Sequence, residues 1–195
     1  ELVVSSATMH TAMAEIVIGS MVLATICAIG CSLSKFLPPS NLNSPSLLVT
    51  MDRASLAGSM LALAFIPIAI MTGNLAAESH SNSALLYNKF VYSGMALGFW
   101  AAFVIARIRF GEALWEVRQL AMLQSATAGI AFLMTTLSAS IGGKRSRGES
   151  LLDLLPFELP LDSAAILPIW ASTTLLTLGR LCSVLVFKFT LPKIV

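Results

Sequence analysis

Charged side chains are scarce in this chain: Asp, Glu, Lys and Arg together make up 11% of its 195 residues. A water-soluble domain carries about 25%, so the usual polar coat is excluded. The formal net charge of +2 is small and no basic face accumulates, which excludes a nucleic-acid partner. Only three cysteines occur, Cys27, Cys31 and Cys182, each inside an apolar run. That excludes a secreted disulfide framework and reads as soft, small packing residues. Familiar catalytic signatures are missing as well. There is no Gly-x-Ser-x-Gly elbow, no His-Glu-x-x-His helix and no paired-carboxylate site in a hydrophilic segment. Gly142-Gly143-Lys144-Arg145-Ser146-Arg147-Gly148 looks like a phosphate loop but lacks its spacing and the hydroxyl residue directly after lysine.

What the chain has instead is apolar length. Hydrophobic residues make up 56% of it and the mean hydropathy is +0.84. A hydrocarbon core of about 30 Å takes about 20 helical residues to cross. Five stretches meet that length, over about residues 8–33, 53–71, 85–108, 120–141 and 164–187. The pattern predicts an all-α integral membrane bundle of about five transmembrane helices, forming one domain over residues 1–195. The first stretch is too long for a removable signal segment and predicts a retained helix. Asp52 is placed to cap the second helix, and Pro67 inside that helix predicts a kink. The Pro-, Ser- and Asn-rich stretch 38–46 reads as a loop, and Trp115 as an interfacial residue between the third and fourth helices. Residues 144–163 form the one extended polar region, whose leucine-rich middle predicts a segment lying in the headgroup zone.

Five crossings place the termini on opposite sides. The side that holds the N-terminus, side one, carries Lys89, Lys144, Arg145 and Arg147. Side two carries Lys35, Arg53, Arg107, Arg109, Arg118, Lys188 and Lys193. Basic residues concentrate on the cytoplasmic side of membrane proteins, so this bias predicts the N-terminus outside and the C-terminus inside.

Helices in lipid associate through close packing of small residues, and residues four apart share a face. The third helix carries Gly94, Gly98, Ala102 and Ala106 in that register. The first carries Ser20, Ala24, Ala28 and Ser32, and the fourth Ala121, Ser125 and Gly129. These stripes serve either packing within the chain or docking of another membrane subunit, with Gly94, Gly98, Ala102, Ala106, Ser125 and Gly129 as the candidate contacts.

Ionisable groups inside apolar stretches need a reason, because each costs about 2.5–3.5 kcal/mol on insertion scales. Glu15 lies inside the first helix, and Lys89 is its expected cationic partner. Arg180 lies in the fifth helix, where its long side chain reaches toward the headgroups. His10 and His80 are both expected on side one, a geometry open to a haem, a chlorophyll-type pigment or a metal, or to plain hydrogen bonding. Lys144, Arg145 and Arg147 are candidates for holding a lipid headgroup.

His10, then Thr72-Gly73, then Gly142-Gly143 with Gly148, occur in an order that resembles a family of small prokaryotic membrane proteins known only as a domain of unknown function. The resemblance covers about residues 8–150 and leaves the fifth helix as an addition. It implies four helices, the first opened by a His-Pro motif with a second histidine five residues on. Thr11 stands where that proline is expected and Glu15 where the second histidine is expected, so any site built on the pair is half lost here.

The composition thus favours a non-catalytic accessory subunit of a larger membrane complex, with an energy-transducing or oxidoreductase assembly as a candidate, and with lipids and other membrane subunits as partners. Two alternatives are an electron-transfer subunit carrying haem or pigment at His10 or His80, and a small transporter using Glu15, Lys89 and the Pro67 break.

Overall fold

The computed structural model describes residues 5–36, 44–76, 84–154 and 156, together with isolated residues 170, 174 and 177. Among the described residues the chain is all helical. Four long helices run α1 Ser6–Leu33, α2 Pro45–Ala76, α3 Ala84–Phe110 and α4 Arg118–Arg147. All four, with α3 extended by the turn that follows it, are long and apolar enough to cross a membrane. The expected fifth helix falls outside the described residues apart from three positions. Trp170, Thr174 and Thr177 are helical, and the Thr174 hydroxyl donates to the Trp170 carbonyl at 2.8 Å.

The helix ends follow local chemistry. Ser5 caps α1, its hydroxyl accepting from the Thr8 amide at 3.1 Å. Pro45 opens α2, where a missing amide hydrogen costs nothing and the fixed φ suits a helix. The helix therefore begins eight residues before the expected start at residue 53, within the stretch read as a loop. Asp52 is consequently not a cap at all but an interior residue of α2. Pro67 also sits inside α2, which continues through it to Ala76. Gly111 and Gly148 adopt left-handed φ values of 63° and 77°, conformations that other residues enter at a steric cost. Gly111 turns the chain out of α3 into a 3-10 helix, Gly111–Trp115; Gly148 closes α4, its amide donating to the Lys144 carbonyl.

The helices form a ring in which α1 packs mainly on α2 and also on α4, while α3 packs on α4 and α2. At the α1–α2 seam small residues meet: Ser20, Ala24 and Ala28 are buried against a face of α2 that holds Ser55, Gly58, Ser59 and Ala62. A Cβ on Gly58 would stand 2.7 Å from the Ser20 carbonyl oxygen, so only glycine allows this approach. Toward the middle of the ring the rings of Trp100 and Phe103, fully buried, pack edge to face at 5.6 Å. The outside is the reverse of a soluble protein: Ile26, Leu75, Ile108 and Leu123 are each at least 60% exposed. That inversion is what a lipid environment requires of a helical bundle.

Candidate functional site

Two polar clusters lie in the bundle, one at each end. At the side-two end, Asp52 of α2 is 3% exposed and faces Arg107 of α3. The guanidinium binds it in bidentate fashion, Nε to Oδ1 at 2.7 Å and Nη2 to Oδ2 at 2.5 Å. Trp115 comes in from the 3-10 helix, and its indole Nε1 donates to the same Oδ1 at 2.5 Å. Glu112 lies 3.8 Å from Arg107 at the exposed rim. A buried ion pair repays its desolvation only when the remaining lone pairs are satisfied, and Trp115 supplies that third bond. Trp115 was expected at the interface; it is 7% exposed and packed into the core cluster, because its indole is tied to the carboxylate. Beside the ion pair lies a cavity of about 120 Å³, bordered by Cys31, Lys35, Asp52, Glu112 and Trp115. The Cys31 thiol points at the Leu48 carbonyl, 3.7 Å away.

Sequence reasoning missed this cluster. It counted Arg107 as one more basic residue of side two and Asp52 as a cap. The signal was present in Pro45, a better helix opener than Asp52, and in two opposite charges near the side-two ends of antiparallel neighbours.

The side-one end gathers residues that lie far apart in sequence. The His10 ring of α1 rests on α2, with Nδ1 3.0 Å from the Ala69 carbonyl and 3.4 Å from the Thr72 hydroxyl. A carbonyl can only accept, so Nδ1 carries the hydrogen. Thr72 itself donates to the Ile68 carbonyl at 2.8 Å. A Cβ on Gly73 would meet His10 Cε1 at 2.7 Å, so glycine here makes room for the ring. Lys89 of α3 crosses to α4, with Nζ 3.3 Å from the position a Cβ on Gly142 would take. Below it the Ser93 and Ser138 hydroxyls meet at 2.7 Å, joining α3 to α4. The motif residues His10, Thr72-Gly73 and Gly142-Gly143 thus all belong to this end of the bundle. His80 lies outside the described residues, so the structure gives no geometry for a histidine pair.

The expected pairing of Glu15 with Lys89 is not formed. Glu15 is on the exposed face of α1, and among the described residues no ion pair joins the two. Of the candidate headgroup residues, Lys144 pairs with Asp153 at 3.2 Å and Arg147 folds back onto Gly143. Asp153 also accepts from the Ser150 amide at 2.8 Å. That bond first, and Lys144 second, hold its carboxyl below the ordinary value. Arg180 lies outside the described residues.

The three small-residue stripes separate cleanly. The α1 stripe is buried within the bundle, with Ser20 and Ala24 against Gly58 of α2. On α4, Ala121 is buried and the Ser125 hydroxyl donates to the Ala28 carbonyl of α1 at 2.9 Å, while Gly129 is half-buried with no atom near its Cβ position. On α3 the stripe faces away from the bundle: Gly94, Gly98 and Ala102 are exposed, and nothing lies within 4 Å of a Cβ built on either glycine. Ala106 turns partly inward against the core. Comparison with known proteins adds no relative: no family model, curated protein or solved structure matches the chain.

Proposed function

We propose that the protein is a non-catalytic integral subunit of a larger membrane assembly, and that it docks a neighbouring transmembrane helix on the outer face of α3. The observation that supports this most is the open Gly94–Gly98–Ala102 stripe, since the comparable seam on α1 and the start of the α4 stripe are already filled from within. Small residues let two backbones approach closely enough for van der Waals contact to outcompete lipid. Tyr87, Phe90, Val91, Met95 and Ile105 flank the stripe with exposed apolar bulk, which suits knobs on either side of a groove. The mechanism is positional: the bundle holds a neighbour at a fixed distance and orientation. The bias of basic residues supports an orientation with the N-terminus outside and, given a fifth crossing over 164–187, the C-terminus inside.

The test is gentle solubilisation of the native membrane followed by native mass measurement of wild type and Gly98→Leu. The variant is expected to fold like the wild type, because the added side chain points into open space, and to lose the co-purifying subunit. A wild-type chain that emerges as a lone 20.7 kDa species would remove the proposal; so would a Gly98→Leu protein that keeps its partner.

A further inference from the structure

One carboxylate of the bundle stands in the wrong solvent. Glu15 lies nine residues past Ser6, about 13.5 Å along α1 at 1.5 Å per residue. Contacts across the α1–α2 seam fix its depth against the neighbouring helix. His10 meets the Ala69 carbonyl and Ser20 meets Gly58, so Glu15, midway between the two, is level with about Phe65. Phe65 is at the middle of the uncharged run 54–77. On α4, where Ser125 meets Ala28, the same level falls at about Ser138, nine residues before the end of that helix. Two neighbours thus place Glu15 well inside a hydrocarbon core of about 30 Å.

Its side chain turns outward. Glu15 is exposed, whereas Val17 and Ser20 are buried in the bundle. Among the described residues no ion pair or hydrogen bond reaches its carboxylate, while Asp52, Glu112 and Asp153 each belong to an ion pair. The basic groups of this end are turned elsewhere. His10 donates to Ala69, and a separation of five residues puts it about 140° around α1 from Glu15. The Lys89 amine lies against Gly142 of α4. An ionised carboxylate at this depth is costly in lipid, and the short glutamate side chain cannot reach the headgroups as a lysine or arginine can. Gly19 lies one turn further along the same face, with nothing within 4 Å of a Cβ there. Val22 and Ile26 continue that face with exposed apolar bulk. The surface around the carboxylate is therefore open to close approach by another helix.

We propose that the outer face of α1, along Glu15, Gly19, Val22 and Ile26, seats a transmembrane helix of another subunit that brings a lysine or arginine to the Glu15 carboxylate. Charge complementarity selects this occupant. Lipid tails or a wholly apolar helix leave the carboxylate uncompensated. A second copy, related by a two-fold axis along the membrane normal, would set one carboxylate against the other. The contact rests on the reading of the chain as a subunit of an assembly but uses a different face. Because α1 packs on α2 and α4, it sits across the ring from α3, and one helix cannot fill both faces.

The test places a photo-reactive amino acid at position 18 of the full chain, one turn from Glu15, and irradiates it in native membranes. The expected product is a cross-link to an apolar span of another membrane protein that carries a lysine or arginine within about two turns of the attachment point. Glu15→Leu should fold and melt like wild type, since it sets an apolar side chain in lipid, and should cut recovery of that cross-link about tenfold, the scale of one hydrogen bond to a charged group. Exchanging the charges, Glu15→Lys with the partner's basic residue changed to glutamate, should restore it. Gly98→Leu, on the α3 face, should leave this cross-link unchanged. A cross-link to a second copy, to residues 164–187 of the same chain, to a span without a basic residue or to lipid alone would overturn the contact; so would equal recovery in a folded Glu15→Leu protein. If that happens while Gly98→Leu still strips a co-purifying subunit, only the α1 contact falls. Should Glu15→Leu fail to fold, the isosteric Glu15→Gln decides by the same readout, and undiminished recovery in it sinks the proposal.

Discussion

Asp52 is the residue on which the side-two end of the bundle depends. Three donors converge on its two oxygens, from two further elements of the chain. Removing one partner of a buried ion pair leaves the other charge uncompensated, at a cost of about 3–5 kcal/mol. Asp52→Ala and Arg107→Ala are each expected to lose stability on that scale. The double variant should lose clearly less than the sum, because the two share one interaction. Reversible unfolding in mixed detergent–SDS micelles measures all three; strictly additive losses would show that the pair is not coupled. Trp115→Phe keeps the ring and removes only the indole donor, so a smaller loss of about 1–3 kcal/mol is expected. None of this was legible at positions 52 and 107 read separately. An Asp followed by an apolar run has the local look of a helix cap, and an Arg near a helix end that of a headgroup anchor. Only the meeting of α2 with α3 pairs them.

At the scale of elements, the α1–α2 seam rests on one missing methyl group. Gly58→Ala drives a Cβ to 2.7 Å from a backbone oxygen, which a side-chain rotation cannot relieve, so the helices must separate. A loss of about 1–3 kcal/mol is expected from such overpacking. Gly19→Ala, with nothing within 4 Å, should be neutral or stabilising by up to about 1 kcal/mol, the difference in helix propensity. The contrast between the two in thermal melts checks the seam. Beyond the end of α4, the turn of residues 149–154 has a pH dependence with a definite sign. The Asp153 carboxyl lies below its ordinary value in the folded chain, so its contacts with the Ser150 amide and Lys144 are fully formed above that ordinary value. They are lost as pH falls through the depressed folded value. Amide exchange at Ser150 in Asp153→Asn should match that of the acid-titrated wild type; protection that is indifferent to pH would contradict the assignment. The element boundaries themselves were only partly legible. Hydropathy located the apolar centre of α2, but the charged pair Asp52-Arg53 interrupts the apolar run, and the Pro45-Ser46 start has the look of a loop, which hid that the helix begins at Pro45.

At the scale of the whole bundle, the four antiparallel helices among the described residues bring the chain from Ser5 back to the same side at Gly148. Ser5 and Gly148 therefore lie at one end of the bundle, and the turn at Glu112 at the other. Single cysteines at positions 5, 112 and 149, in a background with the native cysteines replaced, report this directly. A membrane-impermeant maleimide added to sealed vesicles should label positions 5 and 149 together and position 112 only from the opposite face. Labelling of 5 and 149 from different faces would break the four-span arrangement.

Membrane-scale properties were readable in the chain because they are local and additive. Spans follow from the length and apolarity of a single stretch, and the small-residue stripes follow from a spacing of four within one helix. Which stripe stays open, where Asp52 finds its counter-charge and how His10, Gly73, Lys89 and Gly142 come to share one end depend on how each helix is rotated against its neighbours. That rotation is set by contacts between residues tens of positions apart, such as Gly58 on Ser20 and Ser125 on Ala28. Packing of the four helices decided it, because in lipid the fit of small surfaces, rather than hydrophobicity, selects one rotation over another.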